Sequence, residues 1–128
     1  LMTNPIFACF SDRFQRPYPF QADVIVDIDE VMPTKLEMLH CHASQFYEWL
    51  PYNQGRLEQV PEGDDARKAW VNELWGARSR GLADAYRDAL IGRYGRDRGQ
   101  AVLNAEAIEI SEYGAQPTPE ELATLFPF

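Results

Sequence analysis

Polar side chains recur where an apolar stripe is expected. Lys35, Leu39, His42, Phe46 and Trp49 follow steps of four, three, four and three, which puts them on one face of an α-helix, with Gln45 alongside. A lysine, a histidine and an amide on a core-facing stripe each cost free energy unless a partner meets them. Either they contact a substrate or, more commonly, they satisfy loop carbonyls or a carboxylate such as Asp27 or Glu106. Glu106 shares the apolar face of an alternating segment with Ile108 and Ile110. His42, Gln45 and Glu106 are therefore the candidates for a substrate pocket, and no residue is assigned a catalytic or metal-binding role.

The run His40-Cys41-His42 has the look of a metal motif but not its geometry. Two residues along a helix turn through about 200°, so the two imidazoles face apart and cannot chelate one ion while the helix persists. A hydrolytic zinc needs about three protein ligands and a bound water, and no such set can be written from this chain. The aromatic cluster Phe46, Tyr47, Trp49 and Tyr52 offers flat rings that match the apolar faces of sugars. Phe46 and Trp49 fall on the inward stripe and are assigned to packing, whereas Tyr47 and Tyr52 are left open.

These residues need elements to hold them. Pro5 to Phe10 reads as a short strand, and Ser11 to Phe20, with Pro17 and Pro19, as a loop. Ala22 to Ile28 holds a near-continuous β-branched run that suits a strand buried on both faces of a parallel sheet. Asp29 is placed to cap a helix running from Glu30 to about Leu50, with Pro33 tolerated in its opening turn. Pro51 and Gly55 end it, and Gly55 to Gly63 is a polar connection. A longer helix is expected from Asp64 to Tyr94, closed by Gly95, with Gly76 and Gly81 marking a place for a kink. Ala105 to Ile110 is a short strand, and Thr118 and Glu121 form a capping box around Pro119 for a terminal helix.

The chain has 128 residues, 45% hydrophobic and 25% charged, the size and composition of one globular domain or part of one. A net charge of -8 argues against nucleic acid and anionic lipid as partners. The one basic group, Arg93, Arg96 and Arg98 around Tyr94, falls where a helix should end and its cations oppose the helix dipole. Two cysteines, Cys9 and Cys41, give no disulfide framework. No stretch approaches the ~20 apolar residues of a membrane span, and a cytoplasmic, reducing location is the expectation. Leu1, followed by Met2 and then almost at once by a strand, reads as the start of a chain cut from something longer.

Two blocks of the sequence resemble a known family. Asp23-Val24-Ile25-Val26-Asp27-Ile28, followed by Lys35, Leu39 and His42-Ala43-Ser44-Gln45, is similar to the carboxyl-terminal signature of the LmbE-like or PIG-L deacetylases. Ala105-Glu106-Ala107-Ile108, with Tyr113-Gly114 after it, resembles the segment that closes that domain, although the family usually has an aromatic residue at Ile108. The resemblance spans Asp23 to Gly114. It implies an α/β chain that is the carboxyl-terminal portion of a Rossmann-like three-layer fold, with about three short strands, two long helices and a short terminal helix. It also implies a hydrolase acting on the acetamide of an N-acetylglucosamine-type conjugate, with zinc-activated water as nucleophile and a carboxylate as base. The family's His-Pro-Asp-Asp-Glu type motif is absent, so the zinc would be held by a missing amino-terminal half, and this chain would supply scaffold and pocket wall. A non-catalytic sugar- or protein-binding module is the alternative, and a homo-oligomer is compatible with either.

Overall fold

The computed structural model describes residues 4–128, and Leu1 and Met2, from which a truncated start was read, lie outside them. Three strands, β1 (Ala8–Phe10), β2 (Val24–Asp27) and β3 (Ala105–Ile110), form one antiparallel sheet in the order β1-β3-β2. The register pairs Val24 with Ile108 and Asp27 with Ala105 on one side of β3, and Ala8 with Ile110 on the other. The parallel sheet expected from the β-branched run of β2 is thus corrected. Its physical basis, burial on both faces, holds: Val24, Ile25 and Val26 are all buried.

Alternation along β2 divides those residues between two cores. Ile25 joins Ala105 and Ala107 of β3 against Ala83 and Leu90, which are fully buried. Val24, Val26, Ile28 and Ile108 pack with Met32, Leu122 and Phe126. The chain is therefore a mixed α/β domain with helical residues against both sides of β2.

The helix expected from Glu30 to Leu50 is three pieces. Helix α1 spans Met32–Cys41, with Pro33 in its first turn as expected. It stops at His42, whose φ of -88° and ψ of 57° leave the helical region. The chain then resumes through a π-helical turn, Gln45–Trp49, into α2, Leu50–Asn53. Asp29 does not cap α1. Its carboxylate accepts instead from the amides of Leu103 and Asn104 and from the Asn104 side chain, at 2.7–2.9 Å, and ties the β2–α1 connection to the turn entering β3.

The long helix expected from Asp64 to Tyr94 is also segmented. α3 (Asp64–Val71) runs through a second π-helical turn, Asn72–Gly76, into α4 (Ala77–Ala85). The break falls at Tyr86 rather than between Gly76 and Gly81, and α5 (Arg87–Tyr94) follows. Gly95, with φ of 82°, ends α5 in a conformation that suits glycine, and α6 (Arg96–Ala101) starts at once. Arg98 pairs with Asp27 at 3.2 Å and stacks on Tyr94, while Arg93 donates to the carbonyls of Phe126 and Phe128. Arg93 and Arg98 thus fasten the sheet and the tail. The terminal helix α7 (Pro119–Leu125) carries the expected capping box between Thr118 and Glu121.

Candidate functional site

The polar stripe divides at His42. Upstream of it, α1 carries Lys35 toward the sheet, where its Nζ donates to Oε1 of Glu106 at 2.6 Å. Both side chains are only about a quarter exposed, at 28% each, so the ion pair is partly withdrawn from water. The carboxylate that Lys35 requires is the one on the apolar face of β3.

Downstream, the break at His42 and the π-helical turn shift which residues face inward, because a π turn holds more residues than an α turn. Phe46 and Tyr47 become buried, and Trp49, assigned to packing from the 3.6-residue period, is 57% exposed. His42 and Gln45 are exposed as well, which corrects their expected position on a core-facing stripe. Of the three pocket candidates, Glu106 and Gln45 line different recesses and His42 lines neither, so the structure does not bring them together.

The recess at Glu106, about 340 Å³, is lined by Phe10, Lys35, Trp75, Arg78, Ser79 and Glu106, among others. Several elements build it. β1 pairs only with Ile108 to Ile110, leaving the start of β3 to face α1 and α4. Ser79, on α4, is the one polar residue buried among the described residues, at 2% exposure. Arg78 donates to the carbonyl and hydroxyl of Ser11 just beyond β1. The recess thus combines an ion pair, a guanidinium and a hydroxyl against aromatic walls, groups that orient a polar ligand by hydrogen bonds. Neither Ser79 nor Arg78 was singled out from the sequence. A serine two residues before Gly81 in a helical pattern gives no periodic signal, and only the fold brings it opposite β3.

His40 has a different role. Its Nδ1 lies 2.7 Å from the Tyr47 hydroxyl, and the two rings meet edge to face. Burial is the first cause pushing the Tyr47 phenol pKa above its ordinary value, with Asp64 and Glu37 adding to it and Arg67 and Lys68 opposing. Tyr47, left open as a ligand platform, is thus a core residue, and the exposed members of that aromatic cluster are Trp49 and Tyr52. They border a shallow surface recess with Gln45 and Glu48.

Among the described residues no three His, Cys, Asp or Glu side chains gather as a metal site, and Cys9 and Cys41 are free and exposed. The residues present do not fit a zinc ion. No helix among them is long and apolar enough to cross a membrane. No family model, curated protein or solved structure matches the chain.

Proposed function

We propose that this chain is the carboxyl-terminal part of a zinc-dependent N-deacetylase of the LmbE-like or PIG-L kind, supplying scaffold and pocket wall. The observation that carries the reading is the meeting of its two sequence blocks. Asp27 pairs with Ala105 in the sheet, and Lys35 bonds to Glu106 from 71 residues away. Residues that resemble one family's signature in two separate places thus form one structural unit, as parts of a single inherited domain would. In this reading an outer strand, β1 or β2, borders a larger Rossmann-like sheet in the cytoplasm, with β3 held between them. His42 and Gln45, exposed here, face the surface of the metal-bearing half, and the substrate is an N-acetylglucosamine-type conjugate. Because the described residues offer no zinc site, no step of the hydrolysis is assigned to them.

The test is metal and product analysis of the complete protein. About one zinc per chain together with acetate release from an N-acetylglucosaminyl conjugate is the expected result. A metal-free protein that leaves the acetamide intact overturns it.

One observation favours a second reading, a non-catalytic sugar- or protein-binding module. Trp49 and Tyr52 are 57% and 70% exposed and flank Gln45 and Glu48, an arrangement of flat rings beside polar groups that stacks sugars. Glycan binding by a metal-free protein, lost in Trp49→Ala, supports this reading in place of the first.

A further inference from the structure

The two π-helical turns face each other across another recess. Phe46, from the turn Gln45–Trp49, meets Trp75, from the turn Asn72–Gly76, edge to face with centroids 5.3 Å apart. π turns are rare and recur at functional sites, where the extra residue widens the helix and re-aims side chains. Between the turns lies a recess of about 550 Å³, within the range that holds small molecules.

Its lining has an uneven chemistry. Phe46, Trp70 and Trp75 supply aromatic walls, and the polar groups are Arg13, Gln54 and Arg78, with no carboxylate although the whole chain carries a net charge of -8. Neither Arg13 nor Arg78 forms an ion pair among the described residues; those present join Lys35 to Glu106, Lys68 to Glu37, Arg87 to Asp84 and Arg98 to Asp27. A third guanidinium, that of Arg56, stacks 4.9 Å from the Trp70 ring centroid. The Trp70 indole N–H is buried with no acceptor, the only such side-chain atom among the described residues. Two guanidiniums without anions beside aromatic walls suit a ligand that carries a negatively charged oxygen.

We propose that this recess binds an aryl oxyanion, a planar aromatic ring carrying a phosphate or a carboxylate. The ring packs against the aromatic walls, and the oxyanion accepts from Arg13 and Arg78. The site shares Trp75 and Arg78 with the neighbouring Lys35–Glu106 recess and does not depend on the deacetylase reading.

The test is titration of the ¹⁵N-labelled 128-residue chain with phenyl phosphate and with benzoate, followed by the tryptophan indole N–H resonances. Inorganic phosphate and benzyl alcohol separate the charge from the ring. The Trp70 resonance moves while that of exposed Trp49 stays, and the aryl oxyanions bind more tightly than either control. A stronger response to phenyl phosphate assigns the site to phosphate esters, and a stronger response to benzoate assigns it to carboxylates. Arg13→Gln, at an exposed side chain with no bond of its own in the structure, weakens binding by roughly tenfold without altering the fold. Arg78→Gln weakens it too, with circular dichroism checking that loss of the Ser11 contacts leaves the chain folded. A Trp70 resonance unmoved at roughly 10 mM ligand, an equal response to benzyl alcohol or to inorganic phosphate, or unchanged affinity in Arg13→Gln overturns the proposal.

Discussion

Lys35 on α1 and Glu106 on β3 form a 2.6 Å ion pair across 71 residues of sequence. Because both are mostly shielded, each charge depends on the other, and removing one leaves its partner poorly solvated. Lys35→Met and Glu106→Gln are each expected to destabilise the chain by about 1–2 kcal/mol. The double variant should cost less than their sum, by about 1 kcal/mol of coupling. Urea unfolding of the four proteins measures this, and strict additivity would show that the two charges do not interact.

Asp29 performs a connecting task that helix capping would not require. Its carboxylate receives three N–H donors from Leu103 and Asn104, so Asp29→Ala strands backbone donors at the entry to β3. A loss of about 2 kcal/mol is expected, with early hydrogen exchange at the Leu103 and Asn104 amides. A variant of unchanged stability whose Asn104 amide stays protected would exclude this role.

Glycines separate close packing from helix propensity. A β-carbon on Gly99 would come within 2.5 Å of the Ile91 backbone, whereas one on Gly92 would meet nothing within 4 Å. α5 and α6 cannot move apart without disturbing Leu90, which is fully buried. Gly99→Ala should therefore destabilise by about 2–3 kcal/mol, while Gly92→Ala should stabilise by about 0.5–1 kcal/mol. Thermal melts of the two variants moving in the same direction would contradict the packing of α5 on α6.

How much of this was legible depended on whether one local signal determined each feature. β3 was, because alternation from Ala105 to Ile110 fixes a strand and its faces, and with them the position of Glu106. The Thr118 capping box was, because its two bonds are local. The β-branched run of β2 revealed burial on both faces but not strand direction, since helices can cover an antiparallel pair as well as a parallel one. The helical stripe was legible only to Leu39. Past His42 the backbone leaves the α-helix and re-enters through a π turn, so the 3.6-residue period no longer tells which side chains point inward. His42, Gln45 and Trp49 were misplaced for that one reason. The recess at Ser79 and Arg78 was not legible at all, because only tertiary contacts bring α4 against β1 and β3.

High pH should expose the Tyr47 environment. Burial holds the Tyr47 phenol above its ordinary pKa of 10.0, and a hydrogen bond to Glu37 is the first cause raising Lys68 above 10.5. In both cases the native state keeps a proton that the unfolded chain releases sooner, so the unfolded state binds fewer protons and stability falls with rising pH. The contribution is complete below about pH 10 and is lost as pH climbs through the folded values. Tyr18 is also raised, by Glu112 first, but it is exposed, and about 0.5 M salt should screen its part. Melting temperature measured from pH 8 to 11 in that salt should drop less steeply for Tyr47→Phe than for the parent. At neutral pH the variant should lose about 1 kcal/mol, the worth of the His40 hydrogen bond. Parallel curves for parent and variant would mean that the Tyr47 hydroxyl is as well solvated in the folded chain as in the unfolded one.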